Sequence, residues 1–188
     1  MSSIHENRQP YLIGLEVPDS SGTWSHDTWQ LLSRTAARSI DRFGDVTRAA
    51  AATLGDAQKL GSRGAIAHKP AVLVDLHVVV ADDAGTARRC VRDNAVVGLT
   101  AASRPSIGYV GTSAGLVGLI TDMHTLGICD GVTLLVPPLD PVLAVVADSV
   151  LPSLRASGVV DLTRDSFTIV SALRARWLAE DTRNSVCV

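Results

Sequence analysis

Two arrangements of residues in this sequence could do chemistry. The first is Gly111-Thr112-Ser113-Ala114-Gly115, a G-x-S-x-G run between a short apolar strand pattern and a helical one. In that setting a serine can stand exposed on a sharp turn as a nucleophile. It then needs a later acid and a histidine that takes its proton. The only histidine after Ser113 is His124, on the same helical pattern. At about 1.5 Å of rise per residue it lies about three turns away, too far to reach back. The missing partner argues against hydrolase chemistry. The same stretch, Gly111, Gly115 and Gly118, also imitates an anion-binding loop, because free N–H groups and the helix dipole at a helix start attract negative charge. A dinucleotide loop would follow the first strand and be matched by an acid ending the next strand, whereas Asp130 precedes it. What remains at Gly111, Thr112 and Ser113 is a generic anion site or a plain capped helix.

The second arrangement is Asp75 and His77, two residues apart in Ala71-Val-Leu-Val-Asp-Leu-His-Val-Val-Val80. Side chains alternate along a strand, so these two share one face while Val72, Val74, Leu76, Val78 and Val80 fill the other. A carboxylate beside an imidazole can orient it for acid–base work. The same pair also suits a partly solvated face or a subunit contact. His5, His26 and His68 fall in expected loops or caps, and no His, Cys, Asp or Glu grouping has metal-ligand spacing. No metal is expected.

The elements that must position these residues alternate between strand and helix. Tyr11 to Val17 reads as a buried strand closed by Pro18. Ser25 or Asp27 can cap a helix carrying Trp29, Leu32, Ala36 and Ile40, ended by Gly44. Ala49 to Leu54 favours helix within a poorly patterned stretch, 45–70. Strands are expected over 71–80, 107–110 and 132–136. Helices are expected near 86–93 and after Thr112 or Ser113, the latter with Leu116, Ile120 and Met123 inward and Gly127 at its close. Another begins at Asp140-Pro141, with Leu143, Val146, Val150 and Leu154 inward, a kink from Pro152 and Gly158 past its end. A last helix, 167–179, buries Ile169, Val170, Leu173 and Trp177. Alternating strands and helices imply right-handed βαβ units around a mostly parallel sheet. About four strands result, too few to close an eight-stranded barrel, and no domain boundary is visible in 188 residues.

Composition narrows the function further. Apolar residues make up 46% and aromatics 4%, so Ala, Val, Leu and Ile must build the core, as in helix-covered parallel sheets. A net charge of −2 without basic blocks argues against nucleic acid or an anionic membrane as partner. No stretch has the roughly eighteen apolar residues of a spanning helix. Cys90, Cys129 and Cys187 are odd in number and lack metal spacing, which fits reduced thiols. No signal-peptide pattern opens the chain, and a cytoplasmic protein is expected.

One run carries a resemblance. Tyr109-Val-Gly-Thr112, an amphipathic helix, Gly127-Ile-Cys-Asp-Gly131, Val132-Thr-Leu-Leu-Val136, Pro137-Pro138 and Val150-Leu-Pro-Ser-Leu-Arg-Ala-Ser-Gly158 follow in order. Together they resemble the closing βαβα segment of luciferase-like flavin monooxygenases, most nearly the nitrilotriacetate and dibenzothiophene-sulfone branch. Pro70 to Asp82 followed by Ala87-Arg88-Arg89 resembles a second segment, with His77 where Glu is more usual. The best-matched parts are 70–93 and 107–158. The resemblance implies an α/β fold, a partial or truncated TIM-barrel-like (β/α) arrangement of one domain over 1–188. It also implies FMN or a deazaflavin at the C-terminal ends of the strands, near Glu16, the Gly111-Thr112-Ser113 turn and Val136 to Pro138. The implied activity is oxygenation of a small organic substrate by reduced flavin from a separate reductase. The rival is a non-catalytic flavin-binding or assembly protein that keeps the scaffold. No counterpart of the family's middle strands is seen between 47 and 70. Uncovered sheet edges and unmatched apolar faces would favour a homo-oligomer.

Overall fold

The fold was analysed in a computed structural model that describes residues 11–18, 29–33, 46–64, 70–93, 106–137 and 140–185. Six strands form one sheet: β1 (Leu12–Glu16), β2 (Trp29–Leu31), β3 (Val46–Ala49), β4 (Ala71–Ala81), β5 (Ile107–Thr112) and β6 (Gly131–Leu135). The helices are α1 (Leu54–Gly64), α2 (Ala84–Asp93), α3 (Ser113–Thr125), α4 (Asp140–Val145), α5 (Leu151–Ala156) and α6 (Arg164–Ser185). The architecture is α/β, a partial TIM-barrel-like fold with a mostly parallel, curled sheet.

The strand order is β2-β1-β6-β4-β3, with β5 also on β4. The first and last strands, β1 and β6, pair in parallel as they do where a barrel closes. Among the described strand pairs only β1 with β2 is antiparallel. β4 is the longest strand and organises the rest. Its residues 73–77 pair with β6, 71–74 with β3 and 76–81 with β5. The overlaps at Leu73, Val74, Leu76 and His77 put β3 and β5 on one edge of β4 and β6 on the other. Consecutive strands β5 and β6 therefore flank β4 instead of pairing.

The strands follow the period-2 pattern of β4 on both faces. Ile13, Leu15, Val74, Leu76, Val78, Val80, Val132 and Leu134 enter the main core with Leu116, Ile120 and Met123 of α3. Leu143, Val146, Val150, Leu151 and Leu154 join them from the α4–α5 segment. A smaller apolar cluster of Leu12, Trp29, Ala71 and Leu73 occupies the opposite face of the sheet.

Local chemistry explains the helix ends. Gly127 (φ 62°) lets α3 stop in a left-handed turn, where its N–H and that of Ile128 bond the His124 and Met123 carbonyls. Pro152 cannot donate to the carbonyl four residues back. The chain answers with a π-helical turn over Val146–Val150, where the Leu151 N–H reaches back to the Val146 carbonyl. The expected kink is thus a widened turn.

Two expectations fail. Trp29 and Leu32 are not on a helix, because Trp29–Leu31 is β2, tied to β1 by Leu32 N–H donating to the Ile13 carbonyl. Ala49 does not begin a helix either: Val46–Ala49 is β3, and α1 starts at Leu54. Both strands are too short, at three and four residues, to show a period, so helix-like spacing of their neighbours dominated the reading. Among the described residues the strands accordingly number six, where about four were expected. The caps at Ser25 and Asp27, the helical positions Ala36 and Ile40, and His5, His26 and His68 lie outside the described residues. So does the side chain of Trp177.

Candidate functional site

Register decides which side chains meet. Leu12, Gly14 and Glu16 of β1 align with Gly131, Thr133 and Leu135 of β6. Those align in turn with Leu73, Asp75 and His77 of β4. Arg48 of β3 stands beside Leu73. Parallel partners share a face, so Glu16, Arg48, Asp75, His77 and Thr133 all lie on the face away from the main core. Toward the N-terminal ends this face is apolar, with Leu12, Ala71 and Leu73. Toward the C-terminal ends it becomes polar, which is where barrel folds build their sites.

Arg48 ties the polar end together. Its Nη2 is 2.6 Å from Glu16 Oε2 and 2.9 Å from Asp75 Oδ1, and its Nε donates to the same Oδ1 at 3.0 Å. Glu16 and Arg48 sit on strands separated by β6 and β4, so the contact spans a face curled toward itself. The Glu16 side chain is 4% exposed, that of Arg48 20% and that of Asp75 17%. A carboxylate this buried is tolerated only with a partner. Arg48 Nη1, in contrast, takes no partner among the described residues.

Beneath this network Trp29 crosses the face. Its indole N–H donates to Thr133 Oγ1 at 3.3 Å, and Thr133 is fully buried. Gly14 makes this possible. A Cβ there would come within 2.7 Å of Trp29 Nε1 and 3.1 Å of Thr133 Oγ1. His77 is buried, and burial pulls its pKa below the usual histidine value, so it is neutral near pH 7. A neutral imidazole can accept or relay a proton.

The structure therefore sets Asp75 and His77 on one face, as their spacing indicates, and joins Asp75 to Arg48. Arg48 escaped the sequence reading because β3 did. Its signal was Val46-Thr47, a β-branched pair just after Gly44-Asp45.

The turn at Gly111, Thr112 and Ser113 is built differently. Thr112 caps α3, its Oγ1 accepting from Gly115 N–H at 3.2 Å. The Tyr109 hydroxyl donates to the Thr112 carbonyl at 3.0 Å and lies directly over the glycines. A Cβ on Gly115 would collide with that oxygen, and one on Gly111 would come within 2.7 Å of it. The chain's own tyrosine thus fills the hollow that a phosphate would need. A phosphate approaching this turn would meet the Tyr109 hydroxyl over Gly111 and Gly115.

Ser113 begins α3, while His124 packs against the Tyr11 ring, 5.3 Å between centroids. Tyr11 and Cys129 share a buried hydrogen bond of 2.9 Å at the N-terminal ends of β1 and β6. Burial raises the pKa of both, so this thiol is protonated and inert. Among the described residues no His, Cys, Asp and Glu group could hold a metal, and no helix is long and apolar enough to cross a membrane.

Known proteins bear on this geometry through structure alone. No protein-family model matches the chain, and no curated protein matches it. Among solved structures it is similar to EDTA monooxygenase from Chelativorans sp. BNC1, with a TM-score of 0.51 and 14% identity. The likeness is one of fold. It covers 69% of this chain and 44% of that one, so the chain spans less than half of the monooxygenase it matches.

Proposed function

We propose that this chain is a relative of the luciferase-like monooxygenases that binds a flavin, FMN or a deazaflavin, at the C-terminal ends of its strands. In this reading the reduced flavin comes from a separate reductase and serves oxygenation of a small organic substrate in the cytoplasm. The observation that carries the reading is the barrel-like fold shared with a monooxygenase over 69% of the chain. The polar turnover of one sheet face at Glu16, Arg48, Asp75 and His77 supports it, because it occurs where barrel enzymes place chemistry. Asp75 and His77 are the acid–base candidates. Gly111, Thr112 and Ser113 wall the same end of the sheet, next to Ala81 of β4.

A second reading is a non-catalytic scaffold that works as a homo-oligomer. Tyr109 over the Gly111–Gly115 turn favours it, since a self-filled hollow leaves the phosphate without its N–H groups. Titration of the purified protein with FMN and with a deazaflavin, followed by flavin fluorescence, decides between them. Saturable binding at micromolar or tighter Kd (about −8 kcal/mol) is the result expected of the first reading. Absence of binding by both cofactors would leave the scaffold reading.

A further inference from the structure

One strand–helix unit of this sheet buries far less than the rest. Over residues 46–61, which hold β3 and most of α1, the buried residues are Ala51 and Ala57. An alanine offers a single methyl group to burial, a small hydrophobic gain. Every residue of β1 and β6 is buried, and so is most of β4. In α1 itself Leu60 is partly buried against the core and Leu54 is exposed. Thr53, Asp56 and Lys59 bond to one another, which caps α1 without tying it to the sheet. Where α1 meets the chain before β6, a Cβ on Gly61 would collide with the Ile128 carbonyl oxygen. That approach is backbone against backbone, with no side chain on Gly61 to interlock.

Topology lets this unit leave without undoing its neighbours. β3 ends the strand path and pairs with β4 along four residues. Without it, β4 still pairs with β6 over residues 73–77 and with β5 over 76–81. Arg48 is the side chain that resists departure, because it reaches Glu16 of β1 as well as Asp75 of β4. Charge-assisted hydrogen bonds are short and directional, so a modest displacement of β3 breaks these contacts together. Elements that move in a fold are drawn from its least stable part.

We infer that residues 46–64, β3 with α1, are an opening flap latched by Arg48 to Glu16 and Asp75. The flap opens as one unit while the β1–β6–β4–β5 frame stays folded. It carries Arg48, so each opening takes the guanidinium off the polar strand-end face. The inference does not depend on which ligand binds at that face.

Native-state amide hydrogen exchange of the full chain, in graded sub-denaturing urea and without ligand, tests this. β3 and α1 should share one opening, with protection about tenfold or more below that of β1 and β6. Arg48→Met should lower protection in β3 and α1 about fivefold or more, because their opening breaks the latch. Leu154→Ala supplies the contrast, since Leu154 is fully buried on α5, which packs on α3 and the π-helical turn within the frame. It should lower protection in β1 and β6 and leave β3 and α1 as in the wild type. The wild-type profile tests the flap even where a variant folds poorly. If β3 and α1 exchanged together with β1 and β6 at every urea concentration, the inference would be overturned. It would equally be overturned by unchanged β3 and α1 protection in Arg48→Met, or by a Leu154→Ala effect equal in all four elements.

Discussion

The two faces of the β1–β6–β4 sheet are made by the same strands and have opposite chemistry. The helix-facing side is a continuous apolar layer, Ile13, Leu15, Val132, Leu134, Val74, Leu76 and Val78, closed by α3 and the α4–α5 segment. The other side runs from Leu12, Ala71 and Leu73 to a polar group of buried Glu16, His77 and Thr133 with partly exposed Arg48 and Asp75. The first face obtains its stability from non-directional burial, about 1.5–3 kcal/mol for each large side chain. The second must satisfy every buried charge and donor in place, and no buried side-chain nitrogen or oxygen lacks a partner among the described residues. A sheet that needed only to fold could be apolar on both sides. The polar side is where a function would be carried.

This contrast can be broken most forcefully on the apolar side. Leu134→Ala removes a fully buried side chain from the centre of the sheet and should cost about 2–5 kcal/mol in urea unfolding, with the strand-end face left chemically intact. A cost below about 1 kcal/mol would mean the layer is loosely packed. Arg48→Met removes the guanidinium that Glu16 and Asp75 share and should cost about 1–3 kcal/mol, less than a fully buried pair because Arg48 and Asp75 are partly exposed. If Arg48→Met were neutral while Leu134→Ala were not, the network would be an ornament of the fold. Thr133→Val removes the acceptor that the Trp29 indole N–H finds in Thr133 Oγ1 and should cost about 1 kcal/mol or somewhat more. Thr112→Ala, at the α3 cap, should cost about 1 kcal/mol.

The faces should also differ in pH response. His77 has a folded pKa below its unfolded value of about 6.5, so the unfolded chain binds the proton more readily. Its stabilising contribution is present above about pH 6.5 and is lost as the pH falls toward the folded pKa. His77→Gln should flatten this part of the stability profile below pH 6.5, a slope that substitutions on the apolar face leave unchanged.

How far the sequence disclosed these faces depends on strand length. The alternation in 71–80 placed Asp75 and His77 together, because an eleven-residue strand shows several periods. The segment from Ile107 to Gly158 was equally plain, since glycines at 127 and 158 and Pro152 punctuate its helices. Arg48 and Trp29 were not legible. Each sits on a strand of three or four residues whose existence depends on pairing with β1 or β4, a tertiary cause that local pattern does not carry. The ion network was missed with them, because Glu16 and Arg48 are brought together by strand order and not by spacing. The strand-to-helix step was read two residues early, since β5 runs on through Gly111 and Thr112 before α3 starts at Ser113, and the Tyr109 hydroxyl beside it emerges only from the bend of the chain between β5 and α3.

The central claim is that the polar, strand-end side of the sheet is the binding side. Amide hydrogen exchange of the full chain, with and without saturating FMN, tests it most directly. The account predicts added protection at the strand ends, around Glu16–Val17, His77–Ala81, Gly111–Ser113 and Leu135–Pro137, with α6 unchanged. Protection confined to the helices, or no change at the strand ends while FMN is demonstrably bound, would contradict it.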